Sequence, residues 1–417
     1  MIAAAAVVMQ MCLGVLYAWS VFRPALKEQY GWTPDQTIAP YRYSLLFFTI
    51  AMIIAGFWQD KKGPRLVGSV GGALLGLGCL LSAYIGNTVN GLILAYGVIG
   101  GLGIGLAYVT PVATCVKWFP DKRGTMVGLA VMGFGAGTVV FAPILARLIG
   151  TDATQYARTL PLTFQVMAVI MFVFVIGAAQ FFSVPPAGWK PEGWSPPVKA
   201  GGAGANDFTA PQMLRTWQFW ALWVCYFLGS SVGLTTIGEA KVFAERLSDS
   251  TTAAAAVSIL AVFNGLGRVA WGAISDRIGR VTAVALMGGV YALACALLLR
   301  TADTYTVALI GLCLVGFAFG GFLGVMPAFN AEYYGSRNIG LNYGLLFTAY
   351  GLAGFFVPKY VNESIIKPAG TAGAAGAYGQ MFTLLSIGAV VAVVLALIQR
   401  RPTAPASAPA GQAATAA

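Results

Sequence analysis

Histidine is absent from this 417-residue chain. That absence removes the commonest metal ligand and the side chain that most readily changes charge near neutral pH. Charge of either sign is scarce. Asp, Glu, Lys and Arg together make up 9% of residues, where a soluble protein carries about 25%, so water is not the main solvent. The six cysteines (Cys12, Cys79, Cys115, Cys225, Cys295 and Cys313) form no CxxC pair and lie inside apolar runs. They read as small packing residues rather than disulfides or metal ligands. No His/Cys/Asp cluster with ligand spacing and no nucleotide-phosphate loop occurs, which argues against an enzyme and against a resident cofactor. The roughly ten-residue alternating segments of a transmembrane barrel are missing too.

What the chain does have is apolar length. Hydrophobic residues reach 58%, and uncharged runs of about 18 or more recur from end to end, the pattern of an all-α integral membrane protein. Reading those runs between charged or Pro/Gly-rich breaks predicts twelve helices. The first six fall near 2–22, 42–58, 66–86, 91–116, 125–147 and 160–183. The second six fall near 217–239, 252–274, 282–300, 305–329, 340–360 and 379–399. The N-terminal MIAAAAVVMQMCLGVLYAW lacks the basic n-region of a secretory signal and reads as the first span. The organisation expected is a bundle over 1–183, a Pro/Gly-rich linker over 184–215, a second bundle over 216–400 and a disordered tail over 401–417.

The net charge of +11 sits mostly in short loops, where it sets topology rather than recruiting nucleic acid. Fourteen lysines and arginines lie on the side that holds Lys61, Arg65 and Arg280, against nine on the other. This places both termini and the linker in the cytoplasm. The lipid bilayer is the expected partner, and no obligatory protein partner is inferred.

The halves repeat. A shift of 216 residues superposes Gly56 on Gly272, Asp60 on Asp276, Gly63 on Gly279, Gly105 on Gly321, Pro111 on Pro327, Gly124 on Gly340 and Gly128 on Gly344. Two parallel six-helix halves imply rocking about a central site.

Arg268, within AVFNGLGRVAWGAISDRIGR, stands in an otherwise apolar run. It precedes the boundary at Asp276 by eight residues, about 12 Å of helix, while the hydrocarbon half-thickness is about 15 Å. Facing lipid at that depth costs about 3 kcal/mol. Either the side chain snorkels or serves structure alone, or it faces a central cavity, where a guanidinium is a fixed bidentate receptor for a carboxylate. Asn264 lies one turn earlier on the same face. It can share the anion or orient the guanidinium. Tyr108, just before Pro111, is a further candidate on the facing wall. Arg42 reads as interfacial, and Glu239 and Lys241 as a possible outer gate pair.

The segments GFWQDKKGPR and GAISDRIGR resemble the loop signature of major facilitator transporters. It falls on Gly56, Asp60, Gly63 and Arg65, and again on Gly272, Asp276, Gly279 and Arg280. WFPDKRGTMVGLAVMGFGAG resembles the loop and helix-five signature of monocarboxylate transporters. Trp118 and Phe119 stand at its aromatic pair, Lys122 and Arg123 at its basic pair, and Gly128, Ala130, Gly133 and Gly137 in its small-residue series. GVLYAWSVFRPAL and LRTWQFWALW are similar to the bacterial branch that includes oxalate:formate antiporters.

The resemblance implies a major facilitator fold, with the motif residues gating alternating access. It implies that Arg268 holds a substrate carboxylate and that Tyr17 is a site tyrosine. Asn264 stands where animal members carry a proton-coupling aspartate, and Val21 where they carry a lysine. Tyr350 stands where the oxalate antiporter has a second buried lysine. One buried cation suits one carboxylate, so a lactate-, pyruvate- or acetate-like monoanion is expected over oxalate. Proton symport is the expected mode, the proton being a co-substrate, with anion exchange as the alternative. A facilitator for sugars or cationic drugs would not explain a lone cavity cation, and a membrane enzyme lacks its chemistry here.

Overall fold

The computed structural model describes residues 1–186, 188–193, 207–370 and 373–403. Twelve helices among the described residues are long and apolar enough to cross a membrane. In the first half these are α1 (Ile2–Tyr30), α2 (Asp35–Lys62), α3 (Pro64–Ile85), α4 (Val89–Trp118), α5 (Arg123–Ile149) and α6 (Ala153–Ala179). The second half holds α7 (Trp217–Glu245), α8 (Ala255–Ile278), α9 (Arg280–Leu299), α10 (Tyr305–Tyr334), α11 (Ile339–Ala369) and α12 (Ala374–Leu397). The twelve-helix architecture expected from the sequence is present, and no strand occurs among the described residues.

Several helices outrun the apolar stretches that signalled them. α1 continues from 22 to Tyr30, α2 begins before 42, and α10 runs to Tyr334 rather than 329. Apolar residues mark only the oil-immersed part of a helix, whereas backbone hydrogen bonding continues until a cap stops it. At the start of α2 the stop is a capping box. Thr33 accepts from the Gln36 amide at 3.3 Å, and the Gln36 side chain accepts from the Thr33 amide at 2.8 Å.

The end of the 184–215 segment, from residue 207, packs on the second half. Phe208 is buried, its amide donates to the Tyr334 carbonyl at 2.9 Å, and its carbonyl accepts from Asn338 and Asn342. A one-turn helix, Ala210–Leu214, follows. One large apolar side chain and three hydrogen bonds fix this end of the segment to α10 and α11. Residues 187 and 194–206, and the tail from 404, lie outside the described residues.

The halves meet mainly where α2 packs on α11 and α5 on α8 and α10. Two of these crossings are closed by paired glycines. A Cβ on Gly56 would lie 2.1 Å from the Gly340 carbonyl oxygen, and one on Gly272 would lie 2.3 Å from that of Gly124. At this separation only glycine is tolerated. Gly63 and Gly279 turn the chain at φ +85° and +89°, a backbone region that side-chain-bearing residues rarely adopt.

Candidate functional site

Arg268 is 1% exposed, which removes the snorkelling alternative. The reason lies in the backbone around it. A Cβ on Gly128 of α5 would lie 2.1 Å from the Arg268 carbonyl oxygen, and one on Gly324 of α10 would lie 2.6 Å from it. α8 is therefore pinched between two glycine faces, and its arginine points into the protein. Nε donates to Asn264 Oδ1 at 3.1 Å, and one terminal nitrogen donates to the Val131 carbonyl at 2.5 Å. Asn264 reaches the Gly316 carbonyl with its amide at 3.4 Å. Asn264 thus orients the guanidinium rather than competing with it for an acceptor. Two of the five N–H donors are used in these bonds, and the Tyr17 hydroxyl also lies within hydrogen-bonding reach of the guanidinium.

The bond to Val131 crosses from one half to the other, because Val131 belongs to α5 and Arg268 to α8. A second polar tie between the halves joins the hydroxyls of Tyr17 and Tyr350. Around them aromatic rings close the space. Tyr17 meets Phe134 edge-on at 5.1 Å, Phe134 meets Tyr108 edge-on at 5.3 Å, and Phe347 stacks on Tyr350 at 4.8 Å. Tyr108, Phe134, Phe347 and Tyr350 are all buried. Among the described residues no carboxylate pairs with Arg268. The arrangement brings together one fixed cation, two tyrosine hydroxyls and apolar rings, groups with the chemistry to bind a small anion.

Below the site, towards the α2–α3 and α8–α9 loops, the halves are latched twice. Asp60 accepts from the amides of Gly340 and Leu341 at 3.4 and 3.0 Å, and from Lys117 at 3.3 Å. Asp276 accepts from the amides of Gly124 and Thr125 at 2.9 and 2.8 Å, and from the Thr125 hydroxyl at 2.7 Å. Each aspartate caps the N-terminus of a helix in the opposite half, where unpaired amides and the helix dipole favour an anion.

Compared with family models, residues 2–358 match the Major Facilitator Superfamily. The chain belongs to that superfamily. An uncharacterised transporter of Escherichia coli, YhjX, is 29% identical over 83% of each chain. The oxalate:formate antiporter of Oxalobacter formigenes is 28% identical over 84% of this chain and 81% of that one. Apicoplast pyruvate carrier 1 of Toxoplasma gondii is 26% identical over 78% and 68%. Among solved structures, the facilitator FucP in its outward conformation superposes with a TM-score of 0.74 at 16% identity, over 96% of this chain and 99% of that one.

Within this facilitator the expected site residues Arg268, Asn264, Tyr17, Tyr108 and Tyr350 come together, while Val21 stays outside the hydrogen-bonded cluster. Phe48, Phe134 and Phe347 line the same aromatic group and escaped the sequence reading. The repeat held one clue, since the 216-residue shift carries Phe134 to Tyr350.

The motif arginines behave unequally. Arg280 binds Asp276 at 2.5 Å, Ser275 and, at 3.4 Å, Glu332. The loop signature leads one to expect Arg65 and Arg280 to bridge neighbouring helix ends, but Arg65 is exposed and makes no ion pair among the described residues. Pro64 adds one residue to the first loop, so Arg65 falls opposite Val281 rather than Arg280. That offset swings it about 100° around the helix, and Lys117 takes its place on Asp60. Arg123 lies among the carboxylates of Glu332, Asp207 and Asp276 in the opposite half. Glu239 and Lys241 do not pair. Tyr378 donates to Glu239 at 3.1 Å and Lys241 pairs with Glu245 at 3.6 Å, because two residues along a helix put side chains on different faces. Arg42 is half exposed and pairs with Asp35 at 3.8 Å.

Proposed function

We propose that this facilitator carries small monocarboxylates of the lactate, pyruvate or acetate kind by alternating access, with Arg268 as the carboxylate receptor. The observation that carries the reading is a buried guanidinium with no acidic partner among the described residues, oriented by Asn264 and hydrogen-bonded across the halves to Val131. A carboxylate is a stronger acceptor than a backbone carbonyl. Its arrival would replace the Val131 bond, so binding is coupled to the separation of the halves. The hydroxyls of Tyr17 and Tyr350 would take the remaining oxygens of a 2-oxo or 2-hydroxy acid. A dicarboxylate would leave its second charge among Phe48, Phe134 and Phe347, where burying it unpaired is costly.

Proton symport is the mode we propose. Moving a lone anion through the membrane potential costs about 2.3 kcal/mol per 100 mV, which a co-transported proton cancels. Orientation follows the basic loops, with the Asp60 and Asp276 latches facing the cytoplasm of a bacterial inner membrane. A second reading, exchange of one organic anion for another, draws on the similarity to the oxalate:formate antiporter and on the lack of a carboxylate beside Arg268.

Uptake of labelled lactate, pyruvate and acetate into liposomes tests both. Symport requires uptake to rise when the outside is made acid. Exchange requires internal anion and indifference to the pH gradient. Wild-type uptake retained in Arg268→Ala would refute the receptor assignment.

A further inference from the structure

On the side of the molecule away from the Asp60 and Asp276 loops, a groove of about 450 Å³ runs between the ends of α9 and α12. Arg300, Gly376, Gly379, Gln380 and Thr383 line it together with Leu384 and Ile387 further along α12. From Gly376 to Ile387 the groove follows α12 for eleven residues, about 16 Å at helical rise. The long apolar residues beside it face outward, with Leu297 60% and Ile387 58% exposed. The groove therefore opens to the bilayer rather than to another helix.

The internal repeat supplies a control. The same 216-residue shift carries Gly72, packed on Val175 and Ile176, to Gly288, packed on Val393 beside Ala389. The two halves thus share this α3–α6 and α9–α12 crossing. The counterparts of Gly376 and Gln380 are Leu160 and Phe164, both 2% exposed, and the counterpart of Arg300 is Tyr84. There the hollow bordered by Tyr84, Leu160 and Phe164, and also by Leu26 and Tyr30 of α1, is about 210 Å³ and carries no charged residue. The larger groove thus comes from small residues and a cation at positions that the first half fills with bulk.

Arg300 is exposed at the end of a membrane-spanning helix and has no ion pair among the described residues. Asp303, three residues on, does not line the groove. A Cβ on Gly376 or Gly379 would meet nothing within 4 Å, so both glycines border free space and neither is needed for close helix contact.

We infer that this groove is a binding site for an anionic glycerophospholipid. Arg300 takes the phosphate as a charge-assisted pair, Gln380 and Thr383 flank the glycerol region, and one acyl chain lies along Leu384 and Ile387. The site is independent of the carboxylate receptor.

The purified full chain, stripped in detergent, is titrated with phosphatidylglycerol, phosphatidylcholine or glycerol phosphate and read by native mass spectrometry. Phosphatidylglycerol should bind in preference to phosphatidylcholine, and glycerol phosphate should not bind. Arg300→Gln should weaken phosphatidylglycerol by about fivefold and phosphatidylcholine less, because choline already offsets that lipid's phosphate charge. Gly379→Leu, which fills the groove, should weaken both lipids, and Gly376→Leu repeats that test one turn away. Monodisperse elution and unchanged thermal stabilisation by a monocarboxylate establish that the variants are folded. Phosphatidylglycerol binding that is the same in Arg300→Gln, or undiminished in a folded leucine variant, overturns the inference. So does glycerol phosphate binding as tightly as the lipid.

Discussion

The 216-residue shift that carries Asp60 to Asp276 and Gly56 to Gly272 also carries Met52 to Arg268 and Phe48 to Asn264. In the first pair of positions the halves do the same work. Gly56 lies on Gly340 as Gly272 lies on Gly124, and each aspartate caps the helix that follows its partner glycine. In the second pair they diverge completely. One half presents methionine and phenylalanine where the other presents a guanidinium and its orienting amide. The repeat holds where the two halves close on each other and breaks at the buried guanidinium. The monocarboxylate proposed for that place has no twofold symmetry to match.

Breaking the central asymmetry should have the largest effect. Arg268→Ala is expected to lower carboxylate transport by about 100-fold or more, as truncating a buried hydrogen-bonded charge pair does, and Arg268→Lys should recover little. A lysine keeps the charge but cannot hold Asn264 and a carboxylate at once in a planar fork. Initial rates in liposomes check both.

Next come the glycine crossings. A methyl group at Gly56 or Gly272 would lie within 2.3 Å of a carbonyl oxygen, so either alanine variant should hold the loop side open. Labelling of cysteines introduced near Asp60 and Asp276 would report it. Equal effects of the two would support equivalent latches.

The aspartates should separate the latches. Asp276→Asn leaves Arg280, whose side chain is 8% exposed, with only Glu332 as a carboxylate partner, and losing the shorter charged bond should cost about 2 kcal/mol. Asp60→Asn leaves Lys117, at 15% exposure, better placed to find water, and should cost about 1 kcal/mol. The same labelling assay measures the difference, and the reverse order would contradict the geometry. The smallest effect belongs to Tyr350→Phe, which loses one hydroxyl tie and should change KM by about fivefold.

Much of this was legible in the residues. Apolar run length determines helix number because each span must satisfy its own backbone in oil, and a charge in such a run stands out. Arg268 and Asn264 could be paired from their four-residue spacing alone. Other features could not be read that way. Lys117 substitutes for Arg65 because of one inserted proline, a geometric consequence that no motif pattern carries. The aromatic walls from Phe48, Phe134 and Phe347 look like any other apolar residues in a chain where 12% are aromatic. Helix ends were misplaced because hydropathy reports the solvent around a helix, not the hydrogen bonds that end it.

The bond between Arg268 and the Val131 carbonyl has an electrical consequence. With the Val131 carbonyl as acceptor the guanidinium meets only the partial charge of a peptide dipole. Under the proposed symport, anion and proton cancel, so the loaded and the empty carrier bear the same charge and a full cycle moves none. Under exchange, every crossing is made by a neutral guanidinium–carboxylate pair. An imposed voltage should then leave the net uptake of either mode unchanged, and a current that accompanies uptake would exclude both.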